Sequence, residues 1–127
     1  MTSTTFSKTD KIIYWVATGF LSLLYYGSAT MYVLKTSMVS ENMLHLGFPE
    51  WLTYFLIPVK YAGISVILFT SWKALKEWAY AGVFFNCVLA FLAHLLAKDP
   101  ISATIAAVLG TVFVLVSYFY GKKLGKL

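Results

Sequence analysis

Four apolar stretches dominate this chain of 127 residues, and each is close to the roughly 20 residues that a helix needs to cross a bilayer. They cover residues 12–34, 51–72, 78–97 and 101–120, and Lys60 is the single lysine, aspartate or glutamate within them. Since 60% of the residues are hydrophobic and 12% are charged, a soluble domain of this size has too little interior to hide the apolar surface. The sequence therefore predicts an all-α integral membrane protein, because helices satisfy their own backbone polar groups in lipid.

The segments between these stretches predict how the helices connect. Residues 73–77 and 98–100 are short, which favours an up-down four-helix bundle in a single domain over residues 1–127. The longer connection, residues 35–50, has two interpretations. It is either a plain loop or it contains a short helix over residues 40–46 that lies on the membrane surface.

Local signals refine the predicted helix boundaries. Ser40 is the expected N-cap of the short helix, and Gly47 followed by Pro49 is a stop signal. Asp99 and Pro100 predict an N-cap and a first-turn proline for the fourth span. The first span is too long for the apolar region of a signal peptide, so we expect it to be retained.

The lysines predict the orientation of the bundle. On one side of the spans lie Lys8, Lys11, Lys73, Lys76, Lys122, Lys123 and Lys126, and on the other side lie Lys35 and Lys98. The positive-inside rule then places both termini in the cytoplasm. The net charge of +5 follows from this topology and not from nucleic-acid binding, because the lysines cluster at helix ends and the chain has no arginine.

Small and polar residues recur at helical spacing in each span and predict the faces that pack together. They are Gly19, Ser22, Tyr26 and Thr30 in the first span, Thr53, Lys60, Gly63 and Thr70 in the second, Ala79, Gly82, Asn86, Ala90, Ala93 and Ala97 in the third, and Ala103, Ala107, Gly110 and Ser117 in the fourth. We expect these faces to converge on one polar-lined core. The single cysteine, Cys87, is expected to pack there as a small apolar residue.

Lys60 is the strongest internal indication of function. A lysine at the centre of a membrane helix costs about 2.5–3.5 kcal/mol. Glu50 and Glu77 each lie on the order of 15 Å from its depth, too far for an ion pair. Three interpretations stay open: Lys60 is structural and bonded to Asn86, a tyrosine hydroxyl, a carbonyl or water; it contacts the carbonyl or anionic group of a bound quinone or lipid; or it extends to a membrane surface.

Few other residues indicate chemistry. His94 in the third span and His45 in the outer connection lie on one side, but two histidines without a carboxylate or thiol companion are a weak basis for haem or metal, so no metal site is predicted. Glu77 begins the third span, where the helix dipole favours a carboxylate, and a salt network with Lys73 and Lys76 explains it better than catalysis does. No phosphate-binding, dinucleotide-binding or hydrolase motif is present, and catalytic residues stay unknown.

The order of these features resembles the DoxX-like family of small four-helix bacterial membrane proteins. The matching segments are KIIYW, LHLGFPEWL, VKYAG around Lys60, KEWAYAG and AHLLAKDP, within residues 11–107. The resemblance implies a bacterial inner-membrane protein. Named members include a membrane subunit of a thiosulfate:quinone oxidoreductase and proteins tied to oxidative-stress complexes or enzyme maturation. Transferred by position, it draws attention to Lys60, Glu77 and His94.

The residues and the resemblance together predict an accessory protein that binds a lipophilic ligand, a quinone or a lipid, and serves a redox or envelope-stress system. The expected ligand-binding residues are Lys60, Asn86, Tyr26, His94 and Glu77, and a quinone is the one cofactor considered. Within an enzyme, the chain would be a non-catalytic subunit of a quinone-linked oxidoreductase. The alternatives are an interaction or assembly protein without a ligand, and a small carrier working as a homo-oligomer. The expected partners are the lipid bilayer and a membrane oxidoreductase or assembly partner, and not nucleic acid.

Overall fold

The computed structural model describes residues 7–127 and is built, over that range, from α-helices without strands. The helices are α1 (Lys8–Leu34), α2 (Thr36–His45), α3 (Trp51–Phe69), α4 (Lys73–Leu96) and α5 (Ile101–Lys123). All except α2 are long and apolar enough to cross a membrane. The prediction of an all-α fold with four membrane-spanning helices is therefore confirmed.

The four long helices form a ring in which neighbours along the chain are antiparallel. α1 packs on α3, α3 on α4 and α4 on α5, and α5 closes the ring against α1. The short α2 packs on α1 and α3 at one end of the ring. We call this end the histidine end, because it contains His45 and His94. The opposite end is the lysine-rich end, where α1 and α4 begin and α5 finishes with Lys122 and Lys123.

The connection between α1 and α3 contains a helix, as one of the two interpretations of residues 35–50 predicted. This helix, α2, begins at Thr36, so Ser40 is not its N-cap. Ser40 is instead buried, and its hydroxyl donates to Thr53 Oγ1 of α3 over 3.3 Å. The hydroxyl predicted to start the helix therefore attaches the middle of α2 to the ring.

Three helices finish with a residue of positive φ directly after the last turn, the usual way of closing a helix C-terminus. Glycine holds this position after α2 and α5, as Gly47 (φ 88°) and Gly125 (φ 77°), where the missing Cβ avoids a clash. The predicted stop at Gly47 is confirmed. After α4 the position is held by Lys98 (φ 58°), a conformation that costs a residue with a Cβ about 1–2 kcal/mol.

The connection between α3 and α4 is shorter than predicted. α3 ends at Phe69 and α4 begins at Lys73, whereas the apolar stretches ended at Trp72 and began at Trp78. Residues 73–77 are Lys, Ala, Leu, Lys and Glu, which are strong helix formers. They extend α4 beyond its apolar part, because apolarity marks the part of a helix that faces lipid and not the whole helix.

The packing faces of α1 and α4 are rotated from those predicted. The buried residues are Tyr14, Ala17, Thr18, Leu21, Ser22, Tyr25 and Ala29 on α1 and Lys76, Tyr80, Val83 and Cys87 on α4. Gly19, Thr30 and Gly82 lie on the outer surface, although Ser22, Thr53, Lys60, Gly110 and Ser117 are buried as expected. The core contains aliphatic side chains such as Leu21 and Ile64 together with Tyr25 and Tyr80. The predicted stripes were therefore a poor guide to the core side of α1 and α4, since of their members on these two helices Ser22 alone is buried.

A chain of hydroxyl groups crosses the half of the core nearer the lysine-rich end. Ser117 Oγ of α5 lies 2.6 Å from Thr18 Oγ1 of α1 and 2.7 Å from Tyr80 OH of α4. All three side chains are at most 2% exposed. Buried hydroxyls that have no access to water need hydrogen-bond partners inside the protein. These three hydroxyls are hydrogen-bonded to one another, and they thereby join α1, α4 and α5.

Close packing of α4 on α5 yields a prediction at Gly110. A Cβ added there would lie 3.1 Å from Cys87 Sγ, whereas one added at Gly82 would meet no atom within 4 Å in the part of the chain that the structure describes. We expect Gly110→Leu to lower the free energy of unfolding by about 1–3 kcal/mol through overpacking, and Gly82→Leu to be close to neutral. Thermal unfolding in detergent micelles measures both variants, and equal midpoints would contradict this packing.

Candidate functional site around Lys60

The site is built around Lys60, which lies midway along α3 and is 8% exposed. Its Nζ donates to Ser28 Oγ of α1 over 3.0 Å. Side chains on a helix lean toward the helix N-terminus, and α3 begins at the histidine end, so the amine reaches toward that end. Ser28 was not among the partners expected for Lys60, because those were chosen by the depth of their backbone positions.

Two tyrosine rings of α1 flank the Lys60 amine. The Nζ atom is 5.0 Å from the centre of the Tyr25 ring and 4.8 Å from that of Tyr32. The face of an aromatic ring attracts a cation at such distances. Among the described residues, no carboxylate forms a salt bridge with Lys60. The described residues thus provide one hydroxyl acceptor and two ring faces to the Lys60 ammonium, which has three N–H donors.

Asn86 of α4 borders the same space and is held by a hydrogen bond from α1. The Tyr25 hydroxyl lies 2.8 Å from Asn86 Oδ1 and 3.1 Å from the Val83 carbonyl oxygen. Cys87 Sγ is 3.4 Å from the same hydroxyl. Because the amide oxygen accepts from Tyr25, the amide NH₂ group is left to donate to another partner.

A groove of about 480 Å³ runs between α3 and α4 with Lys60 and Asn86 in its lining. We call it the α3–α4 groove. Its remaining lining is mostly apolar and includes Val59, Gly82 and Trp78. Trp78 is 76% exposed and Val59 is 43% exposed, so the groove opens to the outer surface of the ring, which faces lipid.

A smaller cavity of about 90 Å³ extends from Lys60 toward the histidine end. Tyr32, Met43 of α2 and His94 contribute to its lining, together with Lys60 and Asn86. Lys60 and Asn86 therefore border both spaces. The structure brings together three of the predicted ligand-binding residues, Lys60, Asn86 and His94, around this cavity.

The other two predicted residues lie elsewhere. The Tyr26 hydroxyl is 2.8 Å from Ser65 Oγ, in the contact between α1 and α3. Glu77 is near the lysine-rich end, where its carboxylate is 2.7 Å from Lys122 Nζ and accepts from the Tyr118 hydroxyl over 2.8 Å. Glu77 lines a separate cavity of about 230 Å³ between α4 and α5. The five predicted residues thus do not share one site.

The surroundings of Glu77 differ from the prediction in two respects. α4 begins at Lys73, so Glu77 is beyond the first turn, where the helix dipole has little effect. Its partner is Lys122 of α5 and not Lys73 or Lys76. Proximity along the chain indicated the wrong lysines, because the fold brings the end of α5 against the beginning of α4.

Asp99 joins the two histidines and was missed as a companion to them. Its Oδ1 is 2.8 Å from His45 Nε2 on α2, and its Oδ2 is 2.7 Å from His94 Nδ1 on α4. Within residues 7–127, no group of three His, Cys, Asp or Glu side chains is arranged to hold a metal ion. The cluster is therefore a hydrogen-bonded link between α2 and the end of α4.

The backbone after α4 explains the position of Asp99. Lys98 has positive φ, and the amides of Lys98 and Asp99 donate back to the carbonyls of Leu95 (3.2 Å) and His94 (3.1 Å). Asp99 thus closes α4, whereas the N-cap of α5 is Pro100, without a side-chain hydrogen bond. The predicted N-cap role of Asp99 is wrong, because the reversal at Lys98 turns its carboxylate toward the histidines.

The ring of membrane-spanning helices, the buried lysine and the short helix that packs over one end define a class of small multi-pass membrane proteins. A model of the DoxX-like family matches residues 16–117 of this chain. The chain belongs to the DoxX-like family, as the sequence resemblance indicated. No curated protein and no solved structure matches it.

The Asp99 carboxyl yields a prediction for acidic conditions. Hydrogen bonds from His94 and His45 hold the pKa of this carboxyl below its ordinary value of 3.8. A carboxyl whose pKa is lowered by folding stabilises the folded state at pH values above its ordinary pKa. This contribution disappears as the pH falls through the pKa of the folded state. We therefore expect a drop in thermal midpoint below about pH 4 that is smaller in Asp99→Asn. Melting curves in micelles measure this, and parallel pH profiles for the two proteins would contradict it.

Proposed function

We propose that this protein binds a lipophilic molecule from the bilayer, a quinone or a lipid, at Lys60. In this proposal it is an accessory protein of a redox or envelope-stress system and does not itself carry out catalysis. If it joins an enzyme, it does so as a non-catalytic subunit of a quinone-linked oxidoreductase. The family gives the membrane setting, and the geometry around Lys60 supports the binding.

The observation that carries the proposal is a buried amine beside an open groove. Lys60 has a hydrogen bond to Ser28, and its Nζ faces two aromatic rings. A lysine at this depth destabilises an isolated span, and such residues commonly mark a ligand or transport site. The α3–α4 groove of about 480 Å³ falls within the usual size of small-molecule sites, with apolar walls and few polar groups.

The proposed orientation has the lysine-rich end in the cytoplasm of a bacterium, with the protein in the inner membrane. The lysine-rich end contains the beginning of α1 and the end of α5, so both termini would then be cytoplasmic. The positive-inside rule supports this choice. The histidine end, with α2, would face the opposite compartment.

A second candidate function is docking of a partner helix on α1. Gly19 and Trp15 lie on the outer surface, and a Cβ added at Gly19 would meet no atom of the described residues within 4 Å. A glycine on a lipid-facing surface permits close approach of another membrane helix. Gly110, by contrast, packs inside the ring against Cys87 and is not available for docking.

Replacement of Lys60 tests the ligand proposal. The protein is purified in lipid nanodiscs, and extracted small molecules are identified by mass spectrometry. We expect a stoichiometric lipophile with the wild type and its loss in Lys60→Met, because the polar contact disappears while the bundle keeps its shape. The matched control is Lys73→Met, which removes the same charge from an exposed position at the lysine-rich end and leaves the ligand bound.

The thermal midpoint distinguishes a lost contact from a lost fold. Lys60→Met removes a costly polar group from the membrane interior, so we expect the midpoint to stay or to rise. A folded wild-type protein that retains no lipophile would rule out the ligand proposal. Equal retention by wild type and Lys60→Met would also count against it.

The docking candidate is tested by a bulky residue at Gly19. We expect Gly19→Leu to abolish any complex with a partner or a second copy, while leaving the thermal midpoint unchanged because the position is outside the core. Gly27→Leu is the control on the same helix, because Gly27 is also exposed and no atom of residues 7–127 lies within 4 Å of an added Cβ. Chemical crosslinking in native membranes gives the readout, and crosslinks unaffected by Gly19→Leu would dismiss this surface.

A further inference from the structure

The polar groups along the α3–α4 groove share one chemical property. The polar side chains in its lining are those of Tyr25, Lys60, Trp78 and Asn86. The ammonium of Lys60 and the indole N–H of Trp78 donate hydrogen bonds and do not accept them. Tyr25 and Asn86 can do both, so their own contacts decide what they offer to a molecule in the groove.

Those contacts use one lone pair of the Asn86 amide oxygen and leave its NH₂ donors unused. The Tyr25 hydroxyl is engaged with Asn86 Oδ1 at 2.8 Å and with the Val83 carbonyl at 3.1 Å. Asn86 Oδ1 thereby accepts one hydrogen bond and keeps a second lone pair, while its NH₂ group has no hydrogen-bond partner among the described residues. Lys60 uses one of its donors on Ser28. The unused N–H donors of Lys60, Asn86 and Trp78 therefore outnumber the acceptors left in the lining, which are the Tyr25 hydroxyl oxygen and the second lone pair of Asn86 Oδ1.

Small residues keep the groove accessible from the side. Ala62 and Gly82 both line it and are exposed on the outer surface of the ring. A Cβ at Gly82 would meet no atom of residues 7–127 within 4 Å, so none of these residues fills the space above it. A molecule dissolved in the bilayer can reach Lys60 and Asn86 through this opening without crossing either end of the protein.

We propose that the groove selects a lipophile whose head has acceptor oxygens and no O–H or N–H donor, such as a ring carbonyl or a carboxylate. Lys60 Nζ and Asn86 Nδ2 donate to those oxygens. The corresponding hydroxyl compound binds more weakly, because it adds a donor to a groove in which donors already outnumber acceptors, and a buried donor left unpaired weakens binding. This inference rests on the proposed ligand-binding function and adds the chemical class of the ligand.

Two matched probe pairs test the selection in nanodiscs by isothermal titration calorimetry. One pair is a fully substituted decyl benzoquinone and its hydroquinone, kept reduced under anaerobic conditions. The other pair is oleate and oleyl alcohol. We expect the acceptor member of at least one pair to bind about tenfold or more tightly than its hydroxyl partner. The pair that shows the preference identifies the head as a ring carbonyl or a carboxylate.

Asn86→Asp gives the residue-level test, because it replaces the NH₂ donor by an acceptor oxygen of the same size. We expect the preference to fall toward unity in this variant and to persist in Ala90→Ser, a control one turn further along α4. Equal binding of both members of each pair to the wild type, tighter binding of the hydroxyl members, or a preference unchanged in Asn86→Asp would each overturn the inference and leave the ligand proposal standing. Failure of all four probes to bind would instead reject the ligand proposal itself.

Discussion

The bilayer offers no water to a buried polar group, and the interior of this bundle is organised by that constraint. Thr18, Ser117 and Tyr80 satisfy one another across three helices. Lys60 uses a hydroxyl and two ring faces of α1. Each of these polar contacts joins neighbouring helices. Lipid would solvate the apolar surfaces of separate helices equally well, so the polar contacts help to determine how the helices are arranged.

The two halves of the core have different chemistry as a result. Near the lysine-rich end the hydroxyl chain is closed, since its members are bonded to one another. Near the histidine end the donors of Lys60 and Asn86 exceed the acceptors around them, and cavities border both residues. This excess of donors beside the cavities is why we propose the ligand site in this half.

Sequence reasoning predicted the long helices well and the side-chain contacts poorly, for identifiable reasons. Apolar stretches and lysine-rich flanks define spans, so the helix count and the up-down order followed directly. The partner of Lys60 was missed because depth was compared between backbone positions, although a lysine extends several bonds toward its helix N-terminus and so reaches Ser28. Asp99 was assigned to α5 because Asp-Pro is a common helix start, but Lys98 in the left-handed region closes α4 first.

The Tyr25 side chain links the two helices that lie opposite each other in the ring. α1 and α4 are not packed on one another in the described part of the chain, and Tyr25 bridges them with its hydroxyl on Val83 and Asn86. The length of the Tyr25 side chain therefore sets the distance between α1 and α4, whose residues Val83 and Asn86 line the α3–α4 groove. A neighbouring protein that displaced α1 would therefore also displace Asn86 through Tyr25. This movement would change the width of the α3–α4 groove, although α1 itself lies across the bundle from α4.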